Sequence, residues 1–269
     1  MNTVRLDELA AQQFAVSHEE AVGLIMAGRV YRGHVPADKP GTPVPADTVL
    51  TLKEKARKYA SRSGYKLEKA LAAFSLNVSG ATVCDIGASN GGFTDCLLQQ
   101  GAGHVFAVDV AYGILAWELR EDRRVTVLER TNARNLTLEQ LAAFNAAPLP
   151  CRFITADVSF ISLKRIFPAM DRILSGGGEA VCLIKPQFEA PQKELGKNGI
   201  VRDPAILPPL LASLADAAEE HGLYLRGMTV SPIHGTNGNV EYLALFSRQK
   251  GGEDKAGLIA AALAEQPDM

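Results

Sequence analysis

Thiols are scarce in this chain, and none is paired by spacing. Its four cysteines, Cys84, Cys96, Cys151 and Cys182, form no C-x-x-C pair, and three of them stand within apolar runs. Neither a zinc site nor a disulfide frame is expected. Long apolar runs are missing too, since no stretch approaches the ~20 residues that cross a bilayer. The first nine residues already contain Arg5, Asp7 and Glu8, which leaves no apolar centre for a secretion signal. A reduced, cytoplasmic protein is the expectation. Nor does one charge sign dominate: 28 basic residues stand against 30 acidic ones, net -2, so the chain is no global polycation for nucleic acid. What is present is 47% hydrophobic and 22% charged residues with both signs interspersed, the balance of a folded globular protein. The length suits one catalytic domain plus a small accessory one.

Along the chain, Leu6, Leu9 and Ala10, then Ala21, Leu24 and Ile25, recur at helical spacing, followed by Gly28 and a strand-like Val30-Tyr31. Gly33 to Asp47 is rich in Pro and Gly and reads as loops before a strand from Thr48 to Leu52. A small domain is predicted over residues 1–52. Residues 53–65 form a basic linker, part of a run that holds Lys53, Lys55, Arg57, Lys58, Arg62, Lys66 and Lys69 against Glu54 and Glu68. A solvated helix face explains such a run as readily as phosphate contact does, but its place between two candidate RNA-contacting units favours contact. Residues 66–248 then alternate strands (82–84, 104–108, 125–128, 152–155, 180–184) with helical stretches, the signature of a mainly parallel α/β sheet. The strand-like 223–230 and 240–246 lack a helical crossover and suit an antiparallel hairpin. Residues 249–269 read as a polar tail with one short helix.

A cofactor turn is expected where the first strand ends. Asp85-Ile-Gly87-Ala88-Ser89-Asn-Gly91-Gly92 puts small residues at a strand-to-helix junction, where backbone must approach a ligand closely. Ser89 occupies the second glycine position of G-x-G-x-x-G, which disfavours a dinucleotide. Asp109 ends the next strand, placed to accept from ribose hydroxyls. S-adenosylmethionine needs these features, with Asp109 for its ribose and Asp85 with Gly87 for its amino-acid end. Asn132 is a candidate adenine contact, although a lone Asn there is more often a turn residue.

Polar residues also stand where other strands run out: Asp157 after Phe153-Ile-Thr-Ala156, Lys185 after Val181-Cys-Leu-Ile184, and Glu241 before Tyr242. Lys66 lies on the helix preceding the first strand. Each alone reads as a cap, a surface lysine or an edge charge. Together, at one sheet edge beside a cofactor turn, they form a candidate catalytic set.

These residues lie in longer stretches that resemble the TlyA (haemolysin A) family of rRNA methyltransferases, related to FtsJ-type RNA ribose methyltransferases. The stretches are Ser63-Gly-Tyr-Lys66-Leu, Asp85 to Asp95, Ala107-Val-Asp109-Val-Ala-Tyr112-Gly, Asp157-Val-Ser-Phe-Ile-Ser162, Lys185-Pro-Gln-Phe-Glu189, Gly199 to Pro204 and Gly238-Asn-Val-Glu241. The resemblance implies a Rossmann-like class I methyltransferase domain, mainly parallel with an antiparallel last strand, preceded by a small α+β RNA-binding domain of ribosomal-protein type. It further implies a K-D-K-E tetrad on Lys66, Asp157, Lys185 and Glu241, S-adenosylmethionine as cofactor, and 2′-O-methylation of ribosomal RNA. Candidate phosphate contacts are Arg5 and Arg29 in the small domain and Arg57, Lys58 and Arg62 in the basic run. The chain departs from the family at Ser17-His18, where Ser-Arg is usual, and at Asn90, where Thr is frequent. Two rival readings are a non-catalytic RNA-binding or ribosome-assembly factor, which needs neither turn nor tetrad, and a haemolysin-like cytolysin, which the missing apolar spans disfavour. Base methylation is also disfavoured: Asp157-Val-Ser-Phe160 lacks paired prolines, and Pro150-Cys151 precedes a strand instead of following one.

Overall fold

A computed structural model describes the chain apart from residues 1–2, 34, 38, 54–57, 146, 148, 197–198, 202, 236–237 and 266–269. It divides into two compact units: Met1–Lys58 with Ala116–Asp122, and Tyr59–Leu115 with Arg123–Met269.

In the first unit, β1 (Thr3–Arg5) leads directly into α1 (Leu6–Phe14), and α2 (His18–Met26) follows, its first turn capped by Ser17 Oγ accepting from the Glu20 amide. The apolar positions at helical spacing face inward: Leu6, Leu9, Ala10, Ala21, Leu24 and Ile25 form one core with Val30, Val44 and Leu50. β2 (Val30–Arg32) lies between β3 (Val35–Pro36) and β5 (Leu50–Leu52), both antiparallel, while β4 (Pro43–Pro45) pairs with β1. The stretch read as loops thus contains two short strands. Their prolines sit in strands of two or three residues, where a missing N–H interrupts little of the ladder.

The second unit opens with α3 (Ser63–Ala73), β6 (Thr82–Ile86), α4 (Gly92–Gln99) and β7 (His104–Val108). The chain then passes through α5 (Trp117–Arg120), which belongs to the first unit and sets Trp117 against Gly23, where a Cβ would lie 2.2 Å from the indole. It returns as β8 (Val125–Leu128), α6 (Leu138–Phe144), β9 (Cys151–Ala156), α7 (Phe167–Ile173), β10 (Leu174–Ile184), α8 (Pro186–Glu189), α9 (Leu207–Glu219), β11 (Tyr224–Val230), β12 (Tyr242–Ser247) and α10 (Lys255–Ala264). The seven-stranded sheet runs β11-β12-β10-β9-β6-β7-β8, parallel except that β12 is antiparallel to both neighbours.

Alternation with period two sorts the strand side chains onto two faces. Cys84, Ile86, Phe106, Val108, Ile154, Cys182, Ala244 and Phe246 pack with Phe167 and Met170 of α7 and Leu211, Leu214 and Ala218 of α9. On the opposite face α3 packs on α4, which also touches β7. Burial on both sides explains why β6 and β7 are buried at every position and nearly free of charge. The covering layer runs past residue 248: α10 packs on β11 and α9 with Ile259 and Ala262 buried, and Glu265 accepts from Thr229 Oγ1 and the Val230 amide. Between β7 and β8 the helix is limited to the four residues of α5, because Gly113 takes a left-handed φ of 73°, outside helical geometry.

Candidate active site

The topology brings the carboxyl ends of β6, β7, β8, β9 and β10 and the amino end of β12 to one edge. Ligands of open α/β sheets bind at this edge. Gly87, Asp109, Asp157, Lys185 and Glu241 each stand one residue beyond a strand there.

The turn after β6 folds over β7 because the Gly87 and Ala88 amides both donate to the Val108 carbonyl. Gly87 has φ 84°, and a Cβ on it would sit 2.5 Å from the Asp157 carbonyl oxygen, so no other residue fits. Ser89 is also left-handed, and its amide donates to Asp109 Oδ2 at 2.8 Å while the Ala111 amide donates to Oδ1 at 2.8 Å. Asn90 ties the same turn to the Ile114 carbonyl through its side-chain amide. Gly91 caps α4 with φ 92°, and Gly92 admits the Ser61 and Ser63 hydroxyls, either of which a Cβ would strike.

A cavity of about 830 Å³ opens above this turn, lined by Gly87, Ser89, Asp109, Ile114, Asn132 and Asp157 among others. Of the eight expected cofactor residues, Gly87, Ser89, Asp109 and Asn132 line it; Ala88, Gly91 and Gly92 shape the turn. Asp85 is the one the structure reassigns. It is fully buried, with Oδ2 accepting from Thr94 Oγ1 at 2.6 Å and Oδ1 from Thr155 Oγ1 at 2.8 Å, so it braces the turn from below instead of facing a ligand. Burial pushes its carboxyl up to about 6, against the pull of the two threonine hydroxyls. Asn132 lines the cavity, yet its Oδ1 accepts from the Arg134 amide and guanidinium as the cap of a short 3-10 turn, the turn role weighed above.

The four candidate catalytic residues form two ion pairs. Lys66 Nζ meets Glu241 Oε2 at 2.5 Å with both side chains buried, and Lys185 Nζ meets Asp157 Oδ1 at 2.6 Å while donating to Ser159 Oγ at 2.8 Å. Lys185 and Glu241 line a second cavity of about 850 Å³, and the two cavities share Ser159, Phe160 and Phe188 in their walls. Phe160 is a residue the sequence reading passed over. Its backbone is left-handed at φ 63°, the residue is 91% exposed, and its ring lies 5.1 Å from the Phe188 ring, centroid to centroid. Both phenylalanines sit inside stretches singled out above, so proximity to Asp157 and Lys185 was the available signal.

Among the candidate phosphate contacts, Lys58 and Arg62 are exposed. Arg5 is held by Asp7 through two hydrogen bonds, and Asp7 also receives His18 at 3.5 Å. Arg29 meets Glu118 at 3.4 Å. Arg57 lies outside the described residues. Among those described, no three His, Cys, Asp or Glu gather as a metal set, and no helix is long and apolar enough to cross a membrane.

The family model for FtsJ-like methyltransferases matches residues 59–248. The chain belongs to that family. It is also 43% identical over 243 residues to the 16S/23S rRNA (cytidine-2′-O)-methyltransferase TlyA of Mycobacterium tuberculosis, covering 90% of this chain and 88% of that one. Hemolysin A of Brachyspira hyodysenteriae is 38% identical over 244 residues, 90% of this chain and 99% of that protein. A solved chain from Streptococcus thermophilus, named for a hemolysin, superposes with TM-score 0.71 at 40% identity over 97% of this chain and 96% of that one. The chain is thus a TlyA-type member of the FtsJ-like methyltransferases, and the two cavities fall within the matched segment.

Proposed function

We propose that this FtsJ-like methyltransferase moves a methyl group from S-adenosylmethionine to a ribose 2′-hydroxyl of ribosomal RNA, a cytidine being the target as in the TlyA relatives. The observation that carries the reading is the paired tetrad: two lysines, each held by its own carboxylate, at the edge where the glycine turn ends. The first cavity suits the cofactor. Asp109 still has lone pairs for ribose hydroxyls after serving two amides, and the left-handed Gly87 and Ser89 let backbone approach the amino-acid end. When bound, S-adenosylmethionine supplies an electrophilic methyl on a sulfonium.

The protein's task is to activate a poor nucleophile and aim it. An ammonium has three donors; Lys185 gives one to Ser159 and is held in an ion pair by Asp157, 2.6 Å away. A further donor is available to the 2′ oxygen, so Lys185 Nζ is where the hydroxyl proton is taken or the developing negative charge is held. Asp157 fixes the amine in place. Glu241 lines the same cavity, its charge balanced by Lys66. The exposed Phe160 ring offers a stacking face to a base whose ribose enters the second cavity.

The test is transfer of labelled methyl groups to ribosomal subunits and to naked RNA, followed by alkaline hydrolysis. Cleavage needs a free 2′-hydroxyl, so ribose methylation leaves one resistant phosphodiester; label in fully cleaved mononucleotides means base methylation. Lys185→Ala should keep the fold and bind cofactor while losing about 10²- to 10⁴-fold in rate. Cofactor binding without any transfer would favour a non-catalytic RNA-binding factor.

A further inference from the structure

Resting on that reading, we propose that Glu189 is a positioning residue for methyl transfer, one that locks the Asp157–Ser162 loop in register with the segment from Lys185 to Glu189. These two segments are zipped together in parallel order. Asp157 and Ser159 hold Lys185, Phe160 meets Phe188, and Ser162 Oγ donates to Glu189 Oε2 at 2.5 Å while the Leu163 amide donates to Oε1 at 2.9 Å. The first three contacts involve groups that act on substrate. Glu189 lines neither cavity, so its carboxylate does not touch the reacting atoms.

A half-buried carboxylate away from the chemistry needs a cause. Burial raises the Glu189 carboxyl, and the Ser162 hydroxyl, the Leu163 amide and the nearby Lys164 charge counter that rise. All three lie at the start of the 3-10 turn Leu163–Arg165, where the loop must stop. The loop also carries Phe160 in left-handed backbone, a conformation that persists only where surrounding contacts over-determine it. On its amino side Phe160 is tied through Ser159 and Asp157 to Lys185. The Glu189 clamp closes the other side, and it sits four residues beyond Lys185 on the same segment. A shift at the clamp therefore moves the stacking ring and the Lys185 partner together.

The experiment is steady-state methyl transfer to ribosomal subunits by the full chain and three variants. Glu189→Ala should lower kcat about 10- to 100-fold, the scale of an ångström-sized misplacement. The KM for subunits should stay within about threefold, because a transition-state alignment is lost and not uniform binding. Glu189→Gln should restore kcat to within about threefold of the parent, since Oε1 can accept from Leu163 and Nε2 can donate to Ser162 Oγ. Ser162→Ala, which removes one of the two bonds, should fall between them. Should Glu189→Ala fail to fold, Ser162→Ala and Glu189→Gln decide. Full kcat in Glu189→Ala or, failing that, in Ser162→Ala would overturn the inference. So would a pure KM effect, or Glu189→Gln as slow as Glu189→Ala. The readout is total label transferred, so it holds whichever atom accepts the methyl group. Parent activity with label on the base would sink the ribose reading alone, and no transfer by the parent would sink both.

Discussion

Single residues at this site divide into those that meet ligand and those that hold others in place, and two aspartates illustrate the split. Asp109 accepts from two loop amides and still faces the first cavity. Asp109→Ala should weaken S-adenosylmethionine binding by roughly 1.5 to 3 kcal/mol, the range for hydrogen bonds to charged groups. Calorimetry on the folded variant checks this, and unchanged affinity would remove Asp109 from the cofactor site. Asp85 stands only two residues before Gly87, yet it is sealed under the turn. Its carboxyl is raised to about 6 from 3.8, so between those values the folded state binds more protons than the unfolded state. Stability from this group is then full below pH ~4 and falls as pH rises to ~6, by roughly 3 kcal/mol in all. Asp85→Asn carries no such dependence, so its stability relative to the parent should climb between pH 4 and 6. Denaturant unfolding at several pH values would show it, and a constant gap would mean that Asp85 does not titrate there. The sequence revealed both carboxylates at strand ends but not which one is covered, because burial of Asp85 depends on Thr94 and Thr155, nine and seventy positions away.

Elements were legible where periodicity and punctuation agreed. The β6 turn was visible from its small residues, and the β11–β12 hairpin from the lack of a crossover, and both stand as read. The short strands at 35–36 and 43–45 were hidden, since a strand of two or three residues has no measurable alternation and proline argues against it. The pairing of the Asp157–Ser162 loop with the segment from Lys185 to Glu189 was equally hidden: its contacts join residues 26 to 28 positions apart, a separation set by the fold alone. Between elements, Gly87 is the point where the β6 turn presses on the end of β9. Gly87→Ala would push a methyl against the Asp157 carbonyl and impose a left-handed φ on a residue that resists it. Asp157 would move with its backbone. The variant should lose both cofactor affinity and at least about tenfold in methyl transfer, the cost of displacing an aligned group. Parallel calorimetry and label transfer would test this, and a variant normal in both would show that the turn tolerates a side chain.

At the scale of the whole molecule, the charge balance sets how RNA can be held. A chain of net charge -2 cannot bind RNA by overall attraction, so affinity must come from local cations. Among the candidate phosphate contacts of the first unit, Arg5 is engaged by Asp7 and Arg29 is paired with Glu118. Lys58 and Arg62 are exposed, on the run that connects the two units. If these two contact phosphate, replacing both with alanine in the full chain should weaken RNA binding in a salt-dependent way. Each lost contact releases about one fewer counterion, so the slope of log K against log salt should become shallower by roughly 0.7 to 0.9 per residue, or roughly 1.4 to 1.8 for the pair. Cofactor affinity should not change, because neither residue lines the first cavity. Filter binding of ribosomal RNA across a salt series, with calorimetry of S-adenosylmethionine on the same preparation, measures both quantities. An unaltered slope would show that the exposed run is merely solvated. A lost cofactor affinity with the slope intact would place these residues in the architecture of the methyltransferase unit instead of on its RNA.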